Sequence, residues 1–398
     1  MTAIKSSLRI VLTLAATLVL PWAVSCAGAK PTFKNYVDSL YPDAAAAGVT
    51  WETFEAATTG LQPNNKILKF TKSQPEFNRS IGQYVGKRVT SGQIKSGQAK
   101  AKKLNRTLSA IEKKYGVDRH VLLAIWGMET NYGGYIGKSD ILRSLATLAH
   151  SGYRGDFFQK EFINALLVIQ QENLNPRQLR GSWAGAVGHT QFMPSSFLKY
   201  AVDHTGDGKR DLWGSPSDAL ASAANYLKGN GWQSGVPWGF QVNLPRNIDL
   251  TKATDSYRNW VRRGVVRMDG GSLPDHGSAT LLFPSGIEGL AFLVTDNYMV
   301  LKSYNFSDAY ALSVGHLADR IANRHAPLAG KWNVERPLSK AERIALQEKL
   351  KAMGYAVPGT DGRISLEMRD VIRSYQIRNG MTPDGHADVP VYESVMKK

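Results

Sequence analysis

Cysteine is almost absent from this sequence of 398 residues, and acidic residues are scarce. The single cysteine, Cys26, excludes a disulfide framework and any metal site built from several cysteines. The eight histidines show no HExxH spacing, and no glycine-rich phosphate loop follows a predicted strand, so neither a zinc site nor a phosphate-binding loop is indicated. Lysine and arginine number 49 against 33 acidic residues, and this net charge of +16 predicts an anionic partner.

The sequence also lacks an apolar run long enough for a transmembrane helix. Its clearest run, residues 10–20, has eleven residues, which is too short to span a bilayer. Because the basic Lys5 and Arg9 precede this run and small residues follow it, the pattern predicts a signal peptide over residues 1–29 and export of the protein.

Two cleavage points are compatible with this signal. The triplet of small residues at 27–29 fits ordinary processing, and Cys26 could instead carry a lipid anchor, although no leucine stands three residues before it. Either outcome predicts that the protein acts in the periplasm of a Gram-negative bacterium, and that it is attached to the outer membrane if it is lipidated. Nucleic acid is therefore not the expected anionic partner, and a cell-wall polymer is.

Helical patterns dominate the chain, and strand patterns are few. Helical spacing of apolar residues or capping signals occur at residues 105–115, 118–131, 142–148, 157–171 and 217–227. Short apolar or alternating runs at 240–244, 281–283 and 291–294 predict a small sheet. The predicted fold class is mainly α with a minor β part (α+β minor).

A shift in composition at residues 329–337 predicts a linker between two domains. The larger domain covers residues 30–328 and the smaller one residues 338–398. The smaller unit begins with a capping box formed by Ser339 and Glu342, and two further helical patterns follow it. We therefore expect a compact domain of three short helices.

Glu129 is the candidate catalytic acid. It follows Leu122 and Ile125 on the apolar stripe of its helix, where burial would raise the pKa of a carboxyl group so that it could protonate a leaving group. Spacing alone also permits an ion pair at the edge of the core. The neighbouring small and aromatic residues of the segment 124–133, AIWGMETNYG, favour a cleft that holds a sugar.

The segment 181–196, GSWAGAVGHTQFMPSS, is the strongest signal in the chain. Its glycines and alanines permit close approach of a ligand, and Ser182 and Gln191 offer hydrogen bonds. Together with the Glu129 motif, it closely resembles the membrane-bound lytic murein transglycosylase B family (glycoside hydrolase family 103), whose members cleave peptidoglycan strands. The resemblance covers residues 31–324.

The resemblance implies a lysozyme-like catalytic domain in which Glu129 is the single catalytic acid and base. It implies cleavage of the MurNAc-GlcNAc β-1,4 bond with closure of the muramic C6 hydroxyl on C1, which gives a 1,6-anhydro product without water. The matching positions that would line the glycan cleft are Tyr84, Ser182, Gln191, Tyr226, Tyr304 and Asn305.

Two other functions remain open from the sequence. A lysozyme-like hydrolase would need a second carboxylate, for which the candidates are Asp140, Asp156 and Glu161. A catalytically silent wall-binding protein would be expected to lack Glu129.

The stretch DHTGDGKRD resembles the start of an EF-hand loop. Asp203, Thr205 and Asp207 occupy the first three ligand positions, but Gly214 stands where a glutamate should close the loop. The family resemblance implies a variant calcium loop closed by a later aspartate, so the full expected ligand set is Asp203, Thr205, Asp207, Lys209 through its carbonyl, and Asp218. The alternative is a metal-free turn beside the repelling charges of Lys209 and Arg210, and no other cofactor is expected.

The small domain resembles a peptidoglycan-binding module of wall enzymes. Its matches include Gly354-Tyr355 and Asp384-Gly385, whereas Arg369 stands where such modules commonly carry a small residue. From Arg336 onward the chain has eleven basic and eight acidic residues, a net charge of +3, so most of the surplus charge belongs to the larger domain. The sequence thus predicts a monomer whose partners are peptidoglycan strands.

Overall fold

The computed structural model describes residues 31–72, 80–334 and 336–398. The predicted signal peptide and the Cys26 anchor lie outside the described residues. Among the helices that are described, none has the length and apolar content needed to cross a membrane.

Helices build most of the larger domain, which confirms the predicted fold class. The described α-helices of this domain are Phe33–Asp38, Tyr41–Ala46, Trp51–Thr58, Ile81–Arg88, Ser91–Lys103, Asn105–Tyr115, Arg119–Thr130, Ile141–Ser151, Phe157–Glu172, Pro194–Tyr200, Pro216–Gly229, Tyr257–Arg262, Asp296–Tyr304 and Asp308–Ile321. Short 3₁₀ helices cover Asn65–Lys72 and Pro176–Gln178.

The helix Arg119–Thr130, here called the Glu129 helix, lies in the centre of the domain. It begins where the Asp118 side chain accepts a hydrogen bond from the backbone N–H of His120 (2.7 Å), at the start of the predicted range 118–131. It ends at Asn131, which adopts the left-handed conformation (φ 51°) at the end of the predicted range 118–131. The Glu129 helix packs along the buried helix Asp308–Ile321. This pairing brings two distant parts of the chain to the candidate catalytic residue.

A five-stranded antiparallel sheet lies beside the helices. Its order is Thr254–Ser256, Ser278–Leu282, Ala291–Val294, Gly239–Asn243 and Val266–Arg267. The three central strands were predicted from their apolar residues, and Leu281 lies opposite Leu293 in their register. The two edge strands were missed because each has only two or three residues and no apolar alternation. A separate ladder pairs Ser139–Asp140 with Arg180–Gly181 and places the start of the segment 181–196.

The C-terminal domain consists of three helices, Lys340–Ala352, Leu366–Arg378 and Val389–Met396. The predicted capping box is present, because Ser339 accepts from the backbone of Glu342 while the Glu342 carboxylate accepts from the backbone of Ser339. Its core is separate from that of the larger domain and contains Leu338, Leu346, Leu350, Met368, Ile372, Tyr375, Val391 and Val395.

The segment that joins the two domains is attached to the larger domain. The indole of Trp332 stacks on the ring of Phe292 with a centroid separation of 6.2 Å. It also lies so close to Gly82 that a Cβ atom there would approach it within 2.5 Å. A side chain at position 82 would therefore displace the tryptophan.

Candidate active site

Glu129 is held by a tyrosine from the other central helix. The Tyr310 hydroxyl donates a hydrogen bond to Glu129 Oε1 at 2.6 Å. The Tyr310 ring lies parallel to that of Tyr304, at an interplanar angle of 8° and a centroid distance of 6.4 Å. Glu129 is only half-buried and lines an open cleft. Its carboxyl group is thus oriented on one side and accessible on the other.

The two tyrosines beside Glu129 remain protonated at ordinary pH. Burial, reinforced by the nearby charge of Glu129, raises the pKa of Tyr310 and of Tyr304 well above the usual tyrosine value. A protonated phenol can donate to a carboxylate. Tyr310 is therefore a lasting donor to Glu129, and neither tyrosine serves as a base.

A cluster of aromatic rings forms one wall of the cleft. Tyr226 and Tyr304 meet edge to face with ring centroids 5.0 Å apart, and Phe192 touches both rings. The hydroxyls of the two tyrosines donate to backbone carbonyls, Tyr226 to that of Ser303 (2.7 Å) and Tyr304 to that of Thr190 (2.6 Å). Asn305 follows directly as the C-cap of the helix Asp296–Tyr304. The predicted residues Tyr226, Tyr304 and Asn305 are thereby brought together.

The segment 181–196 lines the cleft next to this aromatic cluster. Ser182 Oγ accepts a hydrogen bond from the backbone of Ala186 (2.9 Å), which closes a tight turn. Gln191 has a positive φ of 51°, and its amide donates to the carbonyls of Gly188 (2.9 Å) and Ile136 (3.2 Å). Gly188 is required here because its φ is +71° and a Cβ would lie 2.4 Å from the Leu212 carbonyl oxygen. Both predicted residues line the cleft, but their polar groups also shape this loop.

Tyr84 lies apart from the other predicted glycan contacts. Only 2% of its surface is exposed, and it packs in the core beneath Tyr310 rather than in the wall of the cleft. Its nearby hydroxyl contributes to the raised pKa of Tyr310. Its assignment to glycan binding stays a prediction.

The cleft is large enough for several sugar rings. Its volume is about 1550 Å³, and it extends from Glu129 past Trp183 to the C-terminal domain. Tyr153, Phe157 and Trp183 give it apolar surfaces on which sugar rings could stack.

The three candidates for a second carboxylate differ in their hydrogen bonds and exposure. Asp140 caps the helix Ile141–Ser151 by accepting from the backbone of Arg143 (3.0 Å). Glu161 is buried and accepts from the backbone and the hydroxyl of Ser195 (2.9 and 2.6 Å), although it borders the cleft. Asp156 is exposed at the start of the helix Phe157–Glu172. The geometry assigns structural positions to Asp140 and Glu161.

Three of the predicted calcium ligands converge. Carboxylate oxygens of Asp203, Asp207 and Asp218 lie within 4.8 Å of one another. Asp218 is fully buried and accepts from the backbone of His204 (2.9 Å) and Thr205 (3.1 Å), which holds it against the start of the loop. Thr205 donates to Asp203 (3.3 Å), and Lys209 is exposed.

The charge of Arg210, expected to repel a metal ion, is directed elsewhere. Its guanidinium forms a salt bridge with Glu172 at 2.5 Å. A set of three carboxylates that includes one fully buried member fits a hard cation such as Ca²⁺. The residues of this loop therefore fit the expected ion.

Two important residues of this region were missed in the sequence. Tyr310 and Asp308 belong to the helix Asp308–Ile321, which was not predicted. The available signal was the N-cap Ser307, whose hydroxyl accepts from the backbone of Tyr310 (3.4 Å), followed by apolar residues.

Family models match most of the chain. Residues 32–319 match a transglycosylase SLT domain, and residues 339–393 match a peptidoglycan binding domain. Among curated proteins, the chain is 33% identical over 246 residues to membrane-bound lytic murein transglycosylase B of Escherichia coli (strain K12). That alignment covers 60% of this chain and 66% of the E. coli protein, just under two thirds of its length.

Solved structures extend the similarity to both domains. SltB3 from Pseudomonas aeruginosa, solved in complex with NAG-anhNAM-pentapeptide, is 40% identical with a TM-score of 0.80 over 92% of this chain and 99% of that chain. The E. coli lytic transglycosylase Slt35, solved in complex with calcium, is 29% identical with a TM-score of 0.62 over 74% of this chain and 94% of that chain.

Proposed function

The chain belongs to the transglycosylase SLT domain family, and we propose that it is a peptidoglycan lytic transglycosylase. The observation that carries this proposal is the accessible carboxyl group of Glu129, which is oriented by Tyr310 in a cleft with aromatic walls. A relative whose structure holds an anhydromuramoyl product supports the same reaction.

One carboxyl group performs both proton transfers in the proposed reaction. Protonated Glu129 gives its proton to the oxygen that joins C1 of MurNAc to C4 of GlcNAc, and the C1–O bond breaks as GlcNAc leaves. The resulting carboxylate then takes the proton of the muramic C6 hydroxyl, whose oxygen forms a bond to C1. Tyr310 keeps the carboxylate in position for the second transfer. The reaction consumes no water, because O6 of the same muramic acid residue forms the new bond to C1 and closes the 1,6-anhydro ring.

Mass spectrometry of the products from purified sacculi tests this function. The wild-type protein is expected to release 1,6-anhydromuropeptides. Glu129→Gln is expected to lower the rate by at least about 10²-fold with an unchanged melting temperature, because an amide cannot supply or take the proton. Products with a free reducing end would instead identify a hydrolase.

Glu161→Gln is the matched control for the Glu129 variant. It changes a second glutamate that borders the cleft but hydrogen-bonds to Ser195. Product formation should persist while the melting temperature falls, because a charge-assisted hydrogen bond is weakened. Loss of cleavage in this variant without loss of stability would return Glu161 to the role of second carboxylate.

We propose further that the glycan is held by Ser182, Gln191, Tyr226, Tyr304 and Asn305, with Tyr84 supporting the site from below. The periplasm is the proposed place of action, which fits the predicted export and the basic charge. Wall binding by the C-terminal module accords with its family match.

Calcium is proposed as a structural ion in the loop around Asp203, with no part in the reaction. The ion would be held by the carboxylates of Asp203, Asp207 and Asp218, and it would offset their mutual repulsion. After treatment with a chelator, calcium should raise the melting temperature of the wild-type protein but not that of Asp207→Asn. An unchanged wild-type melting temperature would refute the site.

A further inference from the structure

The C-terminal module places a charged side chain inside the larger domain. Arg369 forms a salt bridge to Asp308 through Nη2 and Oδ2 at 2.9 Å, and its side chain is only 6% exposed. The other oxygen of Asp308 accepts hydrogen bonds from Lys302 (2.9 Å) and from the Tyr298 hydroxyl (2.6 Å). Asp308 is therefore shared between the two domains.

Two backbone contacts hold the module in the same place. Lys302, which is 2% exposed, donates to the carbonyl of Ile364 in the module (3.2 Å). The backbone N–H of Ile287 likewise donates to the Asp384 carboxylate of the module (3.0 Å). These directed contacts fix one orientation of the module on the catalytic domain, unlike a flexible tether.

The shared carboxylate lies next to the catalytic machinery along the chain. Asp308 is the first residue of the helix Asp308–Ile321, and Tyr310 follows two residues later. The Tyr310 hydroxyl reaches Glu129 at 2.6 Å. A shift at the start of this helix would therefore move the donor that orients the catalytic carboxyl group.

Arg369 is not available to bind a wall polymer. Its guanidinium is enclosed by Asp308, the carbonyl of Phe283 and the carbonyl of Gly385 (both carbonyls at 3.4 Å). This enclosure explains an arginine at a position where such modules commonly carry a small residue. The side chain serves the contact between the domains.

From these contacts we infer that Arg369 and Asp308 are positioning residues for catalysis, and that the docked module fixes the Tyr310–Glu129 pair. The inference rests on the proposed function for its kinetic part. It predicts that the module supports turnover even of substrates too short to need anchoring to the wall.

The experiment compares Arg369→Met with Arg378→Met in the full chain. Methionine keeps much of the apolar length of arginine and removes its charge. Arg378 is on the same helix of the module but is exposed, so this control makes the same change of charge away from Asp308. The substrate is a soluble GlcNAc-MurNAc tetrasaccharide, and kcat and KM are measured separately. Arg369→Met should lower kcat at least tenfold with KM changed less than twofold, because displacement of catalytic groups is costly.

Two further measurements separate positioning from wall binding and from unfolding. Arg369→Lys, which retains a positive charge towards Asp308, should recover a large part of kcat. Pelleting of Arg369→Met with sacculi should equal that of Arg378→Met. Wild-type kcat in Arg369→Met, or an equal loss in Arg378→Met, would overturn the inference.

Hydrogen exchange tests the positioning without any substrate. Amides of residues 308–311 should exchange faster in Arg369→Met, and also in Asp308→Asn, than in Arg378→Met. Unchanged exchange would refute the link. If the wild-type protein failed to cleave the tetrasaccharide and sacculi, the proposed function would fail, while this exchange comparison would still decide the positioning role. Should Arg369→Met not fold, Arg369→Lys and Asp308→Asn provide the same comparison.

Discussion

At the scale of single residues, the contact between Tyr310 and Glu129 is the most consequential in the structure. It joins residues 181 positions apart, and both lie on helices of the core. Tyr310→Phe keeps the ring that lies parallel to Tyr304 but removes the donor. We expect kcat to fall by about tenfold and the free energy of unfolding to fall by about 1 kcal/mol, the usual contribution of one hydrogen bond.

Tyr36→Phe is the control for this prediction. It removes a hydroxyl that donates to Gln159 (3.2 Å), and Tyr36 packs against a different core cluster from the one that contains Tyr310. It should leave kcat unchanged on the same soluble fragment. Equal kcat in Tyr310→Phe and the wild-type protein would show that Glu129 needs no donor from Tyr310.

The sequence predicted those site residues that belong to compact motifs. Glu129, Ser182 and Gln191 stand in short segments whose residues carry the chemistry locally, and all three line the cleft. Tyr310 and Arg369 could not be assigned this way, because their roles depend on partners in distant parts of the chain, Glu129 and Asp308. The burial of the Tyr84 ring could not be predicted from its motif, and its contact with a glycan stays a prediction.

At the scale of elements, the helix Asp308–Ile321 carries more than the tyrosine that contacts Glu129. Its other end holds a buried carboxyl group, Asp319, which accepts a hydrogen bond from the indole of Trp238 (2.8 Å). Burial raises the pKa of Asp319 to about 7, although the Trp238 hydrogen bond and Arg324 lower it in part. Burial lowers the pKa of His316 on the same helix to about 4.

These two groups should give opposite slopes of stability with pH. Asp319 has a pKa of 3.8 in the unfolded chain and about 7 in the folded protein, so between these values only the folded protein keeps the proton. Its contribution to stability therefore declines as pH rises through this window. His316 has a pKa of 6.5 in the unfolded chain and about 4 in the folded protein, so between these values only the unfolded chain binds the proton. Its contribution to stability is therefore lost as pH falls towards about 4. The two slopes largely offset each other in the wild-type protein.

Asp319→Asn should leave the pH dependence of stability that His316 contributes without the opposing contribution of Asp319. Relative to the wild-type protein, the variant should gain stability as pH rises from about 4 to about 7, by at most about 1.4 kcal/mol per pH unit. Urea unfolding at pH 4.5, 6 and 7.5 measures this difference. A difference between the two proteins that is constant with pH would show that Asp319 is ionised throughout in the folded protein.

Some elements with their own end signals were predicted from the sequence. The Glu129 helix has the N-cap Asp118, and the first helix of the module has a capping box. The strand Ala291–Val294 was predicted with its observed bounds because it is continuously apolar. The helices Asp296–Tyr304 and Asp308–Ile321 were missed although the N-caps Thr295 and Ser307 mark where they begin.

At the scale of the whole molecule, the surplus of positive charge is concentrated in one part of the chain. The three helices between Ile81 and Tyr115 contain nine basic residues and one acidic residue, Glu112, which is paired with Arg119. Most of the basic side chains in this part are exposed, and none of them lines the cleft. This surface is suited to attraction of an anionic wall polymer without taking part in the chemistry.

Neutralising part of this surface should weaken association with sacculi in a salt-dependent way. The proposed variant changes four exposed lysines to glutamine, Lys102, Lys103, Lys113 and Lys114. The control removes four exposed charges near the sheet instead, at Arg246, Lys252, Arg258 and Arg262. At low salt, the lysine variant should pellet several-fold less than the control, because unscreened charges attract the carboxylates of the wall.

The difference should disappear near about 1 M salt, where the Debye length is only about 3 Å. Turnover of a soluble tetrasaccharide should be the same in both variants at all salt concentrations, because the altered side chains are outside the cleft. Pelleting is measured by sedimentation with purified sacculi, and turnover by product release. If the two variants pellet equally at low salt, the attraction depends on total charge, and the three basic helices have no special part in it.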